Sequence, residues 1–121
     1  MPVILIIDDS PTELHLFKNM LEKNGFGTLV ADSGEDGLRQ AKTSSPDCIL
    51  MDVVMPGMNG FQATRKLTQD PATAGIPVIM VTTKDQETDK IWGMRQGAVE
   101  YLVKPVKEKE LVAMINAVMA A

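Results

Sequence analysis

The sequence predicts an α/β fold, one parallel sheet of five strands with helices covering both faces. Two observations carry that expectation. Short apolar, β-rich stretches alternate five times with segments of helical periodicity. The first stretch, Val3 to Ile7, is continuously apolar and not alternating, as strands buried on both faces are. A third observation bears on function: three of the five stretches end in polar residues, at Asp8-Asp9, at Asp52 and at Lys104-Pro105.

Residues 3–8 make the first strand. Ser10-Pro11-Thr12-Glu13 then opens a helix: Ser10 can cap it, Pro11 suits the first turn, and Glu13 stands where a capping box places its acid. Leu14, Phe17 and Met20 or Leu21 give that helix its buried stripe, and Gly25 follows its last turn. A second strand near 26–31 leads to the cap candidate Ser33 and a helix to about 43, with Leu38 and Ala41 inward. The third strand, 47–52, runs into Val53-Val54-Met55-Pro56-Gly57-Met58-Asn59-Gly60, whose Pro-Gly pair marks a turn before a helix over 60–69. Pro77 to Thr82 is the fourth strand. The helix after it, near 85–95, is expected to bury Ile91 and Met94-Arg95, with Trp92 suited equally to core or interface. Gly97 precedes the fifth strand, 98–103, and the last helix, 107–119, carries Leu111, Met114, Ile115 and Val118 at core spacing.

At 121 residues the chain is expected to form one domain, residues 1–121. Its net charge of −4 argues against a nucleic-acid partner, which would call for a basic surface. No apolar run approaches the roughly 20 residues needed to span a bilayer, so membrane insertion is not expected. No basic region precedes the first apolar residues, unlike a signal peptide. The single cysteine, Cys48, allows no intrachain disulfide, fits a reducing cytoplasm, and reads as a small core residue.

In parallel α/β sheets ligands bind beyond the carboxyl ends of the strands, which gathers Asp8, Asp9, Asp52, Thr82 and Lys104 along one edge. Two like charges about 4 Å apart near a protein surface repel by roughly 4 kcal/mol, so three acids there need a cation or a proton. An all-oxygen donor set suits Mg²⁺, and one histidine with one cysteine gives no basis for zinc. Lysine and a threonine hydroxyl suit phosphate, and a carboxylate can serve as nucleophile in phosphoryl transfer. Asp52 is the better nucleophile candidate because it stands alone at its strand end, whereas Asp8 and Asp9 form an adjacent pair. Taken singly, an Asp-Asp after a strand is usually turn chemistry and a Lys-Pro is common in loops. Their joint placement on successive strand ends reads as a site.

These residues are those by which the whole chain resembles the CheY-like receiver domains of two-component response regulators. The resemblance rests on Asp8-Asp9, on Asp52 with Met55-Pro56-Gly57-Met58-Asn59-Gly60 after it, on Thr82, and on Tyr101 three before Lys104-Pro105. It implies a doubly wound, flavodoxin-like fold with strand order 2-1-3-4-5, a topology of which a receiver is itself an example. By position, Asp52 resembles the phospho-acceptor, Asp9 a direct Mg²⁺ ligand and Asp8 an acid supporting the metal through water, with the backbone carbonyl of Val54 as a further ligand. Lys104 resembles the phosphate-binding lysine, followed by a cis peptide to Pro105, and Thr82 with Tyr101 the switch pair. The implied function is a cytoplasmic phosphorylation switch that accepts its phosphoryl group from a histidine kinase. It catalyses only its own phosphorylation and dephosphorylation. With no effector domain expected after residue 121, output would pass to a protein target through the fourth helix, fifth strand and fifth helix. Asp9-Ser10-Pro11-Thr12-Glu13, Gly60-Phe61-Gln62-Ala63-Thr64-Arg65 and Val81 to Lys90 further resemble PilH-type single-domain regulators of the type IV pilus, or twitching-motility, pathway. There the role would be output or phosphate sink. Thr83, beside the switch threonine, is larger than the residue many receivers keep there.

Two other readings use the same residues. A phosphatase with an aspartyl-phosphate intermediate needs a second acid soon after its nucleophile, but Val53 and Val54 follow Asp52. A phosphorylation-independent interaction module would have no use for the complete set of acids, hydroxyl and lysine. His15 reads as a surface or helix-packing residue, and the nine methionines mostly as core filler.

Overall fold

The alternation of apolar and helical segments becomes ten elements in the computed structural model, which describes residues 1–121. They are β1 (Val3–Ile7), α1 (Pro11–Lys23), β2 (Gly27–Ala31), α2 (Gly34–Ser44), β3 (Cys48–Met51), α3 (Gly60–Gln69), β4 (Val78–Thr82), α4 (Glu87–Arg95), β5 (Glu100–Val103) and α5 (Glu108–Ala120). All strand pairs are parallel, and the order is β2-β1-β3-β4-β5, as expected. The winding reverses between β1 and β3, the switch point at which such sheets hold ligands.

Because side chains alternate across a strand, the same strands feed two cores. Ile4, Ile6, Cys48, Leu50, Ile79 and Val81 pack with Phe17 and Leu21 of α1 and Leu111 and Ile115 of α5. Leu5, Ile7, Ile49, Met51 and Val78 pack with Ala41 of α2 and Ala63 and Leu67 of α3. Every residue of β3 and β4 is buried. That is why these strands read as continuous apolar runs and not as alternating ones.

Local chemistry sets the boundaries. Ser10 and Ser33 cap α1 and α2 by accepting the N–H of Glu13 and Asp36. Asn59 caps α3 in a reciprocal box with Gln62, at 2.9 and 3.0 Å. Pro77 lies outside β4; lacking an N–H, it contributes only its carbonyl, which accepts from Ile49 at 2.9 Å. No helix is long and apolar enough to cross a membrane.

The fourth helix departs from expectation. Its buried positions are Gly93 and, at its C-cap, Gln96, whereas Ile91, Met94 and Arg95 lie exposed. Trp92 is 48% exposed, which settles its placement on the surface. The reason is steric: a glycine faces the sheet, so the helix backbone lies directly against Met80 and the ring of Tyr101.

Candidate functional site

Strand register decides which side chains meet. Ile7 pairs with Met51, and Asp52 N–H donates to the Ile7 carbonyl at 3.0 Å, so Asp8 and Asp52 emerge side by side. Asp8 is 2% exposed and Asp52 8%, whereas Asp9 turns out to the rim. Carboxylate oxygens of all three lie within 4.8 Å of one another. On the other side Thr82 pairs with Val103, and Lys104 N–H donates to the Thr82 carbonyl at 2.8 Å. This delivers Lys104 to the same edge. The structure thus brings together the acids and the lysine that the strand ends announce.

Lys104 Nζ lies 2.8 Å from Asp8 Oδ2, 3.4 Å from Glu13 Oε1 and 3.6 Å from Asp52 Oδ2. Its side chain is 9% exposed, with Nζ 5.9 Å from the centre of the Phe17 ring. Glu13 is the residue that sequence reasoning misplaced. Its expected return bond to the cap is absent, because Ser10 N–H already donates to Asp8 Oδ1 at 3.0 Å. The Glu13 carboxylate is therefore free to face Lys104. Only the tertiary fold brings that lysine near, so local sequence carried no signal for it.

The two buried acids are not equivalent. Both oxygens of Asp8 are engaged at close range, one by Lys104 and one by Ser10 N–H. Asp52 Oδ1 accepts from Val53 N–H at 2.8 Å, while Oδ2 faces the lysine at 3.6 Å. Asp52 thus carries the least engaged oxygen of the buried pair. Burial raises the Asp52 pKa, and the charge of Asp8 adds to it, outweighing Lys104, the Thr82 hydroxyl and the Val53 amide. Burial alone would lower the Lys104 pKa, but the hydrogen bond to Asp8 and the charges of Asp52, Asp8 and Glu13 together raise it.

The donor set fits a divalent cation of the hard, oxygen-seeking kind. Three carboxylates converge with no sulfur or imidazole among them, and two are buried with a single ammonium between them. The loop after Asp52 is firmly anchored. Gly60 N–H donates to the Val53 carbonyl at 2.9 Å, and a Cβ on Gly60 would stand 2.0 Å from the Asp52 carbonyl oxygen. Val54 follows in this loop with its side chain exposed.

Thr82 is fully buried, and its hydroxyl accepts from Lys84 N–H at 3.4 Å. The Tyr101 hydroxyl donates to the Lys84 carbonyl at 2.8 Å. Both side chains therefore end on the backbone of one residue in the β4–α4 loop. Burial, then the charges of Asp89, Asp52 and Asp85, push the Tyr101 pKa up to about 12. Thr83 is exposed and borders a cavity of about 290 Å³ shared with Glu13, Phe17, Lys104 and Pro105. The Lys104–Pro105 peptide is cis.

The sequence profile of the response regulator receiver domain matches residues 4–116. Protein PilH of Pseudomonas aeruginosa is 62% identical over 117 residues, covering 97% of each chain. At lower identity the matches include longer regulators: the chain spans 48% of the transcriptional regulatory protein PhoP of Bacillus subtilis, to which it is 34% identical. Among solved structures, a putative response regulator of Chloroflexus aurantiacus superposes with a TM-score of 0.95 at 33% identity, each chain covered in full. The receiver domain of the sensor histidine kinase PA1611 of Pseudomonas aeruginosa, solved with a magnesium ion in its active-site cleft, superposes with a TM-score of 0.92 at 27% identity. That match covers 99% of this chain and 98% of the other.

Proposed function

The chain belongs to the response regulator receiver domain family, and from that premise we propose a phosphorylation-activated switch in which Asp52 takes a phosphoryl group from a histidine kinase. One observation carries the reading: Asp52 presents its less engaged oxygen 3.6 Å from Lys104, with Asp8 and Asp9 alongside.

In the transfer, a carboxylate oxygen of Asp52 attacks the phosphorus of the donor's phosphohistidine. An O–P bond forms, the N–P bond breaks, and the imidazole nitrogen keeps the electron pair. Lys104, already between the buried acids, pairs with an oxygen of the transferred group. Asp9, Asp52 and the Val54 carbonyl would hold Mg²⁺, with Asp8 supporting it through water. Bound there, the ion supplies positive charge against the charge of the phosphoryl group. The magnesium in the similar PA1611 receiver supports that choice.

Thr82 moves its hydroxyl toward the new phosphoryl group and donates to it, and that movement draws the hydroxyl oxygen away from Lys84 N–H. Tyr101 is bonded to the same residue's carbonyl, so rearrangement of Lys84 reaches the aromatic ring. The target reads the face of α4, β5 and α5, on which Ile91, Trp92 and Met94 stand exposed. The likeness to PilH supports a place in type IV pilus signalling in the cytoplasm, as an output or a phosphate sink. No separate substrate is turned over; the reactions catalysed are the protein's own phosphorylation and dephosphorylation. The test is Mg²⁺-dependent transfer of label from phosphorylated kinases of the host. The wild type is expected to be labelled and Asp52→Asn not; equal labelling of both would overturn the assignment.

A further inference from the structure

The α4 helix rests on the sheet through a position without a side chain. Gly93 is its single buried residue, and a Cβ there would stand 2.6 Å from Met80 Sδ and 3.2 Å from Cδ2 and Cε2 of Tyr101. Met80 and Tyr101 are paired neighbours on β4 and β5, so helix, thioether and ring meet at one point. Met80 is fully buried in a small cluster with Val53 and Ala98, against which Phe61 and Tyr101 pack. Val53 directly follows Asp52 and donates its N–H to the Asp52 carboxylate.

We propose that Gly93 is the seat of the Tyr101 ring, a positioning residue whose missing side chain lets the ring lie under α4 with its hydroxyl on the Lys84 carbonyl. Of the groups that a methyl on Gly93 would meet, Met80 is enclosed on all sides and the ring is only half-buried. The ring is thus the group with a way out, and leaving takes its hydroxyl from Lys84. Gly93 thereby sets how readily Tyr101 occupies its bonded position, and the height at which α4 rides over the sheet. This inference rests on the switch reading above only for its consequence; the seat itself is a matter of packing.

The chain has one tyrosine and one tryptophan, so ring signals need no assignment by mutation. The experiment compares wild type with Gly93→Ala by NMR, without any phosphoryl donor, following contacts from the Tyr101 ring to the Met80 side chain and the Gly93 α-protons. The expected result is loss of those contacts in Gly93→Ala, with Asp52 still labelled by its kinase. Retention of the contacts at wild-type strength overturns the proposal. A melting cycle keeps the test open should the single variant prove too unstable for NMR. Gly93→Ala is expected to lower Tm in the wild type but raise it in Tyr101→Ala, where Met80 can relax into the vacated space and helix propensity favours alanine. An equal decrease in both backgrounds places the clash elsewhere and overturns the proposal. Because the ring is observed before phosphorylation, failure of labelling would sink the switch reading alone, and failure of the ring result the seat alone.

Discussion

The ammonium of Lys104 stands 2.8 Å from Asp8 Oδ2 but 3.6 Å from Asp52 Oδ2, so one cation serves two buried acids unequally. Replacing it with an uncharged chain of similar length, Lys104→Met, leaves Asp8 and Asp52 facing each other without a counter-ion. Removing one partner from a buried ionic cluster typically destabilises by about 3 kcal/mol or more. We expect the unfolding free energy to fall by that order, read as a lower urea midpoint, with loss of stable Asp52 labelling; an unchanged midpoint would show that the lysine is not needed as a counter-ion.

Asp52→Asn should do the reverse to stability. The folded-state pKa of Asp52 is raised, so the folded protein holds that proton more tightly than the unfolded chain. Its stability contribution is therefore greatest below the unfolded carboxylate pKa of about 3.9 and is lost as pH rises through the folded value. The variant should melt higher than wild type at pH 7, with the gap closing toward pH 4. Scanning calorimetry across that range checks the sign.

Added Mg²⁺ should invert the comparison. A ligand at ten times its Kd stabilises the folded state by about 1.4 kcal/mol, and the variant puts a neutral amide where the proposed site has a charged carboxylate. Wild-type Tm is expected to rise with millimolar Mg²⁺ while that of Asp52→Asn stays nearly flat. Parallel rises in both proteins would place the ion elsewhere.

Gly60→Ala tests the loop that carries the acceptor. The new Cβ would stand 2.0 Å from the Asp52 carbonyl oxygen and 2.7 Å from Val53 Cα, and backbone atoms cannot step aside as a side chain can. Against a helix-propensity gain of up to about 1 kcal/mol, overpacking of this kind costs about 1–3 kcal/mol. The expected outcome is net destabilisation with weaker Mg²⁺ binding by titration calorimetry. A variant as stable as wild type with unaltered affinity would refute it.

Cys48 offers a readout of opening. It is fully buried in β3, and burial pushes its thiol pKa up to about 12. A native thiol so placed should resist a disulfide reagent at pH 8 and react at the rate at which the sheet opens. Rapid native reaction would contradict this packing.

The edge chemistry could be read from sequence because it depends on where strands stop. Val3–Ile7 and Cys48–Met51 are apolar to their ends, and parallel register then sets Asp8 beside Asp52. What escaped the sequence depends on contacts made across the fold. Glu13 follows a local capping pattern, yet its carboxylate faces Lys104, a partner distant in sequence. Ile91 and Met94 have the spacing of a buried stripe, but a helix seated on glycine turns them outward. Gly60 was visible as a motif residue, though not as the point where α3 touches the acceptor's own carbonyl.

The site occupies the rim at which the strands end, and the strands begin at the opposite rim. There the segment between α3 and β4 includes Gly75, exposed, with nothing within 4 Å of where a Cβ would stand. The molecule thus has a working end and a handling end. A dye, tag or tether introduced at Gly75 would stand at the far end of the strands from Asp52, a way to immobilise or watch the protein without touching its acid cluster.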